Sequence, residues 1–256
     1  MAMKLAFSTL PVQSFSAEQL AALCARHKMA VEVRANQDGT FTYAKDLPIV
    51  DIGTGICLFG YSAEQMAKAK AQIAQIHEKG VRAVRIFIGN FRRRHSDPAK
   101  PLDREGIVRA IQELCEIGPE IWLETHNEYA TGKAILPLLC DVNRENFGVI
   151  WDIMHPLEDG ESVAETYASI GHAIRHVHIK DGKPFENADA HDFFYTKLGE
   201  GVVPIREIVA CLEKNGYQGY YSLEWESMWR PELQGVYENP DVLLSDYQTY
   251  MEEILK

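Results

Sequence analysis

Four short apolar runs from residue 121 onward each end in a side chain able to bind a cation. They read Ile121-Trp-Leu-Glu124, Gly148-Val-Ile-Trp-Asp152, Ile174-Arg-His-Val-His178 and Tyr221-Ser-Leu-Glu224. Glu124, Asp152, His178 and Glu224 are separated by 28, 26 and 46 residues, and each interval has room for one helix and its loops. If the runs are neighbouring strands, their ends converge. Three carboxylates and one imidazole form a mostly hard, oxygen-rich donor set. It suits Mn²⁺ or Mg²⁺ first, with Zn²⁺ or Co²⁺ as alternatives. One polar residue at a strand end needs no such account, since it faces water or caps the next helix. Four in succession are different, because three crowded carboxylates repel one another unless a cation lies among them.

The elements that must position these residues are visible as further apolar runs. Strand candidates are 5–10, 30–34, 47–52, 81–89, 121–124, 147–152, 174–179 and 220–224. Their near-continuous Val, Ile, Leu and aromatic content is that of strands buried on both faces of a parallel sheet. Amphipathic segments alternate with them. Ser16-Ala-Glu-Gln19 and Ser62-Ala-Glu-Gln65 carry the spacing of a capping box, Asn239-Pro240 opens the last helix, and Gly80 and Gly216 stand where helices should stop. Eight strands with alternating helices predict an α/β fold: one (β/α)8 TIM barrel over residues 1–256. An open doubly wound sheet is the alternative. Only 35–46 separates the second and third strand candidates, so the second helix is reduced or missing. In such a barrel the chemistry sits at the C-terminal strand ends, where the four candidate ligands fall.

These residues resemble a known family. Trp122-Leu-Glu-Thr-His-Asn127, Trp151-Asp-Ile-Met-His-Pro156, Val177-His-Ile-Lys-Asp-Gly182, Leu198-Gly-Glu-Gly201 and 216–224 are similar to segments of the xylose-isomerase-like TIM barrels. The superfamily includes sugar isomerases, ketose 3-epimerases, inosose and dehydroshikimate dehydratases and apurinic endonucleases. The resemblance implies that Glu124, Asp152, His178 and Glu224 are the metal ligands. It implies that Glu124 and Glu224 also move the proton in an epimerase, through an enediolate of a ketose or related polyol. His155 matches a position that touches substrate oxygen. Aldose–ketose isomerisation needs nearly the same groups, and dehydration is one step further. Hydride-shift isomerisation calls for a second acidic cluster that the sequence does not present. Asp189-Ala-His191 with 198–201 resembles the endonuclease branch. That branch needs further histidines where this chain has Glu32-Val-Arg34 and Asp51-Ile-Gly-Thr54. A barrel that binds sugar without catalysis is the non-enzymatic alternative.

Further residues could complete the site. Lys180 and His155 are placed to stabilise a developing oxyanion. His126 follows Glu124 at strand spacing and faces the same way, as a substrate contact. His176 lies deeper and reads as a core histidine, and His27, His77 and His172 as surface residues of helices. Glu32 and Arg85 face the barrel interior, as a buried ion pair or the edge of the substrate pocket. Trp225, Trp229 and Arg230 follow the last strand and could cover a sugar, pack in the core or meet another subunit of a homo-oligomer. Arg92-Arg-Arg-His95 could clamp a phosphate or remain a solvated loop. Gly53-Thr-Gly55 is too short for a dinucleotide fingerprint. The chain has 256 residues, 46% of them hydrophobic, and a net charge of −11, which disfavours nucleic acid and anionic membranes as partners. No apolar run is long enough for a membrane helix. The five scattered cysteines, with no C-x-x-C, read as reduced core residues. A cytoplasmic protein acting on a small sugar or polyol is the expectation.

Overall fold

Eight parallel strands close into a barrel in the computed structural model, which describes residues 4–89, 103–185 and 193–254. In chain order the strands are β1 (Leu5–Ser8), β2 (Ala30–Arg34), β3 (Ile49–Leu58), β4 (Ala83–Ile88), β5 (Glu120–Glu124), β6 (Phe147–Asp152), β7 (Ile174–Ile179), β8 (Asp181–Pro184), β9 (Phe193–Thr196) and β10 (Tyr220–Leu223). The barrel runs β1-β10-β7-β6-β5-β4-β3-β2, and β8 and β9 form a separate antiparallel hairpin. Helices α1 (Ala17–His27), α2 (Ala63–Glu78), α3 (Arg104–Cys115), α4 (Gly132–Val142), α5 (His155–Glu158), α6 (Val163–Ile170), α7 (Ile205–Lys214) and α8 (Pro240–Ile254) connect the strands. Among the described residues none is long and apolar enough to cross a membrane.

Local chemistry sets the helix boundaries. The Ser16 and Ser62 side chains accept the N–H groups of Gln19 and Gln65, whose side chains accept in return from the serine N–H groups. Asn239 Oδ1 accepts from Val242 N at the start of α8. No helix joins β2 to β3: residues 35–48 cross as irregular chain, as the short interval requires. The core lies mainly between barrel and helices, where Ile73, Ile111, Leu138, Ile208 and Leu244 are buried. A second, smaller cluster is formed by Ala6, Ala30, Val50, Ala83, Trp122 and Ile150, the first four of them within the first two residues of their strands.

The structure departs from the sequence expectations at several places. β1 stops at Ser8, and a 3-10 turn over Leu10–Val12 follows. β3 continues past Gly53-Thr-Gly55 to Leu58, with a register shift between Gly53 and Cys57. Gly53 has a packing reason: a Cβ there would lie 2.8 Å from Arg34 Cδ, so its absence lets Arg34 cross into the barrel mouth. The β8–β9 hairpin is an insertion between β7 and α7 that periodicity did not reveal. Its base explains why the segments 177–182 and 198–201 belong together. The Asp181 carboxylate accepts backbone N–H groups from Gly182, Gly199, Gly201 and Val203 at 2.8–3.1 Å. His27 is buried, not a surface residue, and lies 2.9 Å from Asp241 Oδ1. All five cysteines are free, but Cys140 is exposed, and Cys57 and Cys211 are only half-buried. Arg92 to His95 and Asp189 to His191 lie outside the described residues.

Candidate metal centre

Parallel register carries the four candidate ligands to one level. Asp152 pairs with His178 and His178 with Ser222, while Glu224 follows β10 directly and Glu124 ends β5. One ligand atom from each of Glu124, Asp152, His178 and Glu224 lies within 4.8 Å of the others, and all four residues are buried. His178 Nδ1 is 3.4 Å from Glu224 Oε2, 3.6 Å from Glu124 Oε1 and 3.9 Å from Asp152 Oδ2. That nitrogen has no hydrogen-bond partner. A buried, unpartnered imidazole nitrogen facing three carboxylates fits a divalent cation and has no simple apolar alternative.

The surrounding shell fixes these groups. His178 Nε2 donates to Glu32 Oε2 at 2.6 Å, which leaves Nδ1 turned to the cluster. His176 Nε2 donates to the same oxygen at 3.1 Å, and Arg34 Nε is 2.9 Å from Glu32 Oε1. Asp152 Oδ1 accepts from Met154 N at 3.0 Å, so only Oδ2 faces the cluster. Arg85 Nη1 donates to Glu124 Oε2 at 2.9 Å, and Arg34 Nη2 donates to Glu224 Oε1. Lys180 Nζ lies 2.5 Å from Asp152 Oδ2 and also contacts Glu224 Oε2. It is 2.6 Å from Glu226 Oε1, a counter-ion outside the ligand set.

Burial opposes charge on Glu124, His178 and His155, and their neighbours reverse it. Burial raises the Glu124 carboxyl, but the adjacent His178 charge outweighs it and brings it to about 2. Burial lowers His178, yet Glu32 and Glu124 raise it to about 10. His155 is raised to about 9: burial acts against its charge, and Asp152 and Glu158 overcome it. His126 goes the other way, down to about 4, through burial and the His155 charge. Asp51 is fully buried with neither carboxyl oxygen bonded. Burial and the Glu32 charge push it well above the usual carboxylate range.

A cavity of about 1120 Å³ opens over the cluster, with Glu124, Glu224, His126, His155, Lys180 and Arg230 on its wall. His155 Nδ1 is held by Glu158 at 2.8 Å, and Nε2 is 3.5 Å from Asp152 Oδ2. The His126 ring meets the His155 ring edge-on at 4.7 Å. The Arg230 guanidinium stacks 4.0 Å over the Tyr195 ring. Glu32 does not reach the cavity: it is wholly buried beneath His178, so the expected substrate contact becomes a support for a ligand. Glu32 and Arg85 are not partners; each has its own ion pair. Trp225 is buried against Tyr237, whereas Trp229 stands 59% exposed on the cavity wall. Sequence reasoning gave no role to Arg34, Asp51, Glu158 or Glu226. Arg34 and Glu226 lie two residues after Glu32 and Glu224, so strand alternation was a signal for both.

A closed parallel barrel with acids and a histidine converging at its C-terminal mouth defines a TIM barrel with a candidate metal centre. The chain belongs to the xylose isomerase-like TIM barrel family, whose model matches residues 9–245. It is 30% identical over 135 residues to fructoselysine 3-epimerase of Escherichia coli O157:H7, and the match spans 49% of this chain and 47% of the relative. The fold is shared with the IolI protein, described with a bound zinc atom (TM-score 0.78, 17% identity, 99% of this chain and 98% of that one). It is shared also with D-allulose 3-epimerase from Methylomonas sp. in complex with D-allulose (TM-score 0.76, 19% identity, 98% and 96%).

Proposed function

We propose that the protein is a divalent-metal-dependent sugar isomerase or epimerase. It takes a ketose or related polyol and moves a proton at the carbon beside the carbonyl. One observation carries the reading. Glu124 and Glu224 reach the same cavity from strands that are not neighbours, beside a donor set that fits a cation. A divalent ion bound there would polarise the carbonyl and acidify the adjoining C–H. Glu124 takes the proton. Glu224 delivers a proton from the other side of the site, which inverts the carbon. Lys180 and His155 donate N–H bonds to the oxygen that gains negative charge. His126 and Arg230 contact sugar hydroxyls at the cavity wall. The names of the fructoselysine and D-allulose 3-epimerases support a ketose substrate and a C3 reaction.

Dehydration is the second reading, favoured by His155. Its imidazole, raised to about 9, is an acid able to protonate a leaving hydroxyl. Solvent exchange tests the main reading. Mn²⁺-loaded protein incubated with ketoses in D₂O should incorporate deuterium beside the carbonyl without loss of water from the sugar. Glu124→Gln and Glu224→Gln should each slow exchange by about 10²–10⁴-fold. Full exchange in either variant, or a product lighter by one water, would overturn the epimerase reading.

A further inference from the structure

The cavity is larger than a free ketohexose needs. Its roughly 1120 Å³ exceeds the range of about 300–1,000 Å³ that encloses a drug-sized ligand. The candidate metal ligands occupy one end. The rest extends between the 36–39 turn that stands in place of the missing second helix, the outer face of α2, and the loop bearing Met228 and Trp229.

The chemistry of this extension differs from that of the cluster. Side-chain amides enter it from separate elements: Gln13 before α1, Gln37 in the turn and Gln65 on α2. Gln13 Nε2 is engaged with Asn36 Oδ1 and Gln65 Oε1 with Ser62 N, which leaves the Gln13 oxygen as an acceptor and the Gln65 NH2 as a donor for sugar hydroxyls. Trp229 adds an indole face, 59% exposed, of the kind that covers the C–H face of a sugar ring. Among the described residues the cations on these walls already have partners: Lys68 is 2.8 Å from Glu64, and Arg230, next to Trp229, faces Glu226 at 3.8 Å and stacks on Tyr195. Arg34 and Arg85 are already engaged with carboxylates.

Gly55 borders the same open space. It lies on β3 at the cavity wall, its backbone is not left-handed, and a Cβ there would meet nothing within 4 Å. It falls within the register shift between Gly53 and Cys57, and a glycine inside a strand goes with such an irregularity or with the close approach of a ligand.

We infer that the substrate is a ketose carrying a neutral glycosyl substituent, with the ketose end at the candidate metal ligands and the second ring in the amide-lined extension. This rests on the ketose reading above and adds what the rest of the cavity is for. Three sugars that differ only at C6 test it: D-fructose, D-fructose 6-phosphate and isomaltulose, in which a glucosyl unit is attached there. Each is titrated calorimetrically into the Mn²⁺-loaded protein. Isomaltulose should bind at least tenfold more tightly than fructose. Gly55→Leu, which fills the extension, and Trp229→Ala, at a side chain already more than half exposed, should each reduce that ratio to below about threefold. Tighter binding of the phosphate, equal binding of fructose and isomaltulose, or a ratio that survives Gly55→Leu would overturn the inference. Deuterium exchange is read separately, so binding of isomaltulose without exchange rejects the reaction and leaves the extended site standing.

Discussion

Glu32 shows how much of a metal site lies outside its ligands. It reaches no substrate, yet one of its oxygens holds His178 Nε2 and His176 Nε2 while the other meets Arg34. Through His178 it sets which nitrogen faces the carboxylates. Glu32→Gln keeps the shape and removes the charge that raises His178. Supporting carboxylates of this kind are worth about 10–100-fold in metal affinity, so Mn²⁺ titration followed by EPR should show a loss of that size. Unchanged affinity would mean that His178 needs no such partner. The four candidate ligands were legible because each closes an apolar run. His126 followed from two-residue alternation. Arg34 and Glu226 obey the same alternation but received no role, since parity says which way a side chain points and not what it meets. Glu32 was left between a buried ion pair and the pocket edge, because sequence does not say that Arg34 and the histidines cover it.

At the scale of elements, the first and last helices are pinned together at one point. Asp241, at the start of α8, bonds to Arg26 and His27 at the end of α1. The hydrogen bond from His27 is the largest cause of a lowered Asp241 pKa. A carboxylate with a lowered folded value stabilises the fold above its unfolded value, near 3.9, and loses that contribution as pH falls through the folded value. The pair is half exposed, so the effect is small. Asp241→Asn should lower Tm by about 1–3 °C at pH 6, and the difference should shrink toward zero below about pH 4. A difference that grows on acidification would contradict this sign. Strand and helix order was readable from period and caps, and the missing second helix from the length of one interval. The continuation of β3 was hidden because Gly53-Thr-Gly55 looks like a breaker until the close approach of Arg34 is seen. The β8–β9 hairpin was hidden because strand assignment from pattern favours long apolar runs, and β8 is Asp181-Gly-Lys-Pro184.

The whole molecule joins a closed barrel to a charged mouth. Glu32, Glu124, Asp152 and Glu224 share a small volume with Arg34, Arg85, Lys180 and His178, all of them buried. Such a network is costly to desolvate, and its geometry is kept by the barrel wall around it. A cation that binds only the folded chain must stabilise it. At a free concentration one hundred times Kd the gain is about 2.7 kcal/mol, or about 5–10 °C in Tm for a domain of this size. Stripping with EDTA should reverse that shift, and a Tm indifferent to Mn²⁺ and EDTA would count against a folded metal site. The most direct test is a crystal structure grown with Mn²⁺ and read at the manganese absorption edge. One anomalous peak should lie about 2.0–2.3 Å from His178 Nδ1 and from oxygens of Glu124, Asp152 and Glu224. An empty cluster at saturating Mn²⁺, or a peak held by other residues, would contradict the account.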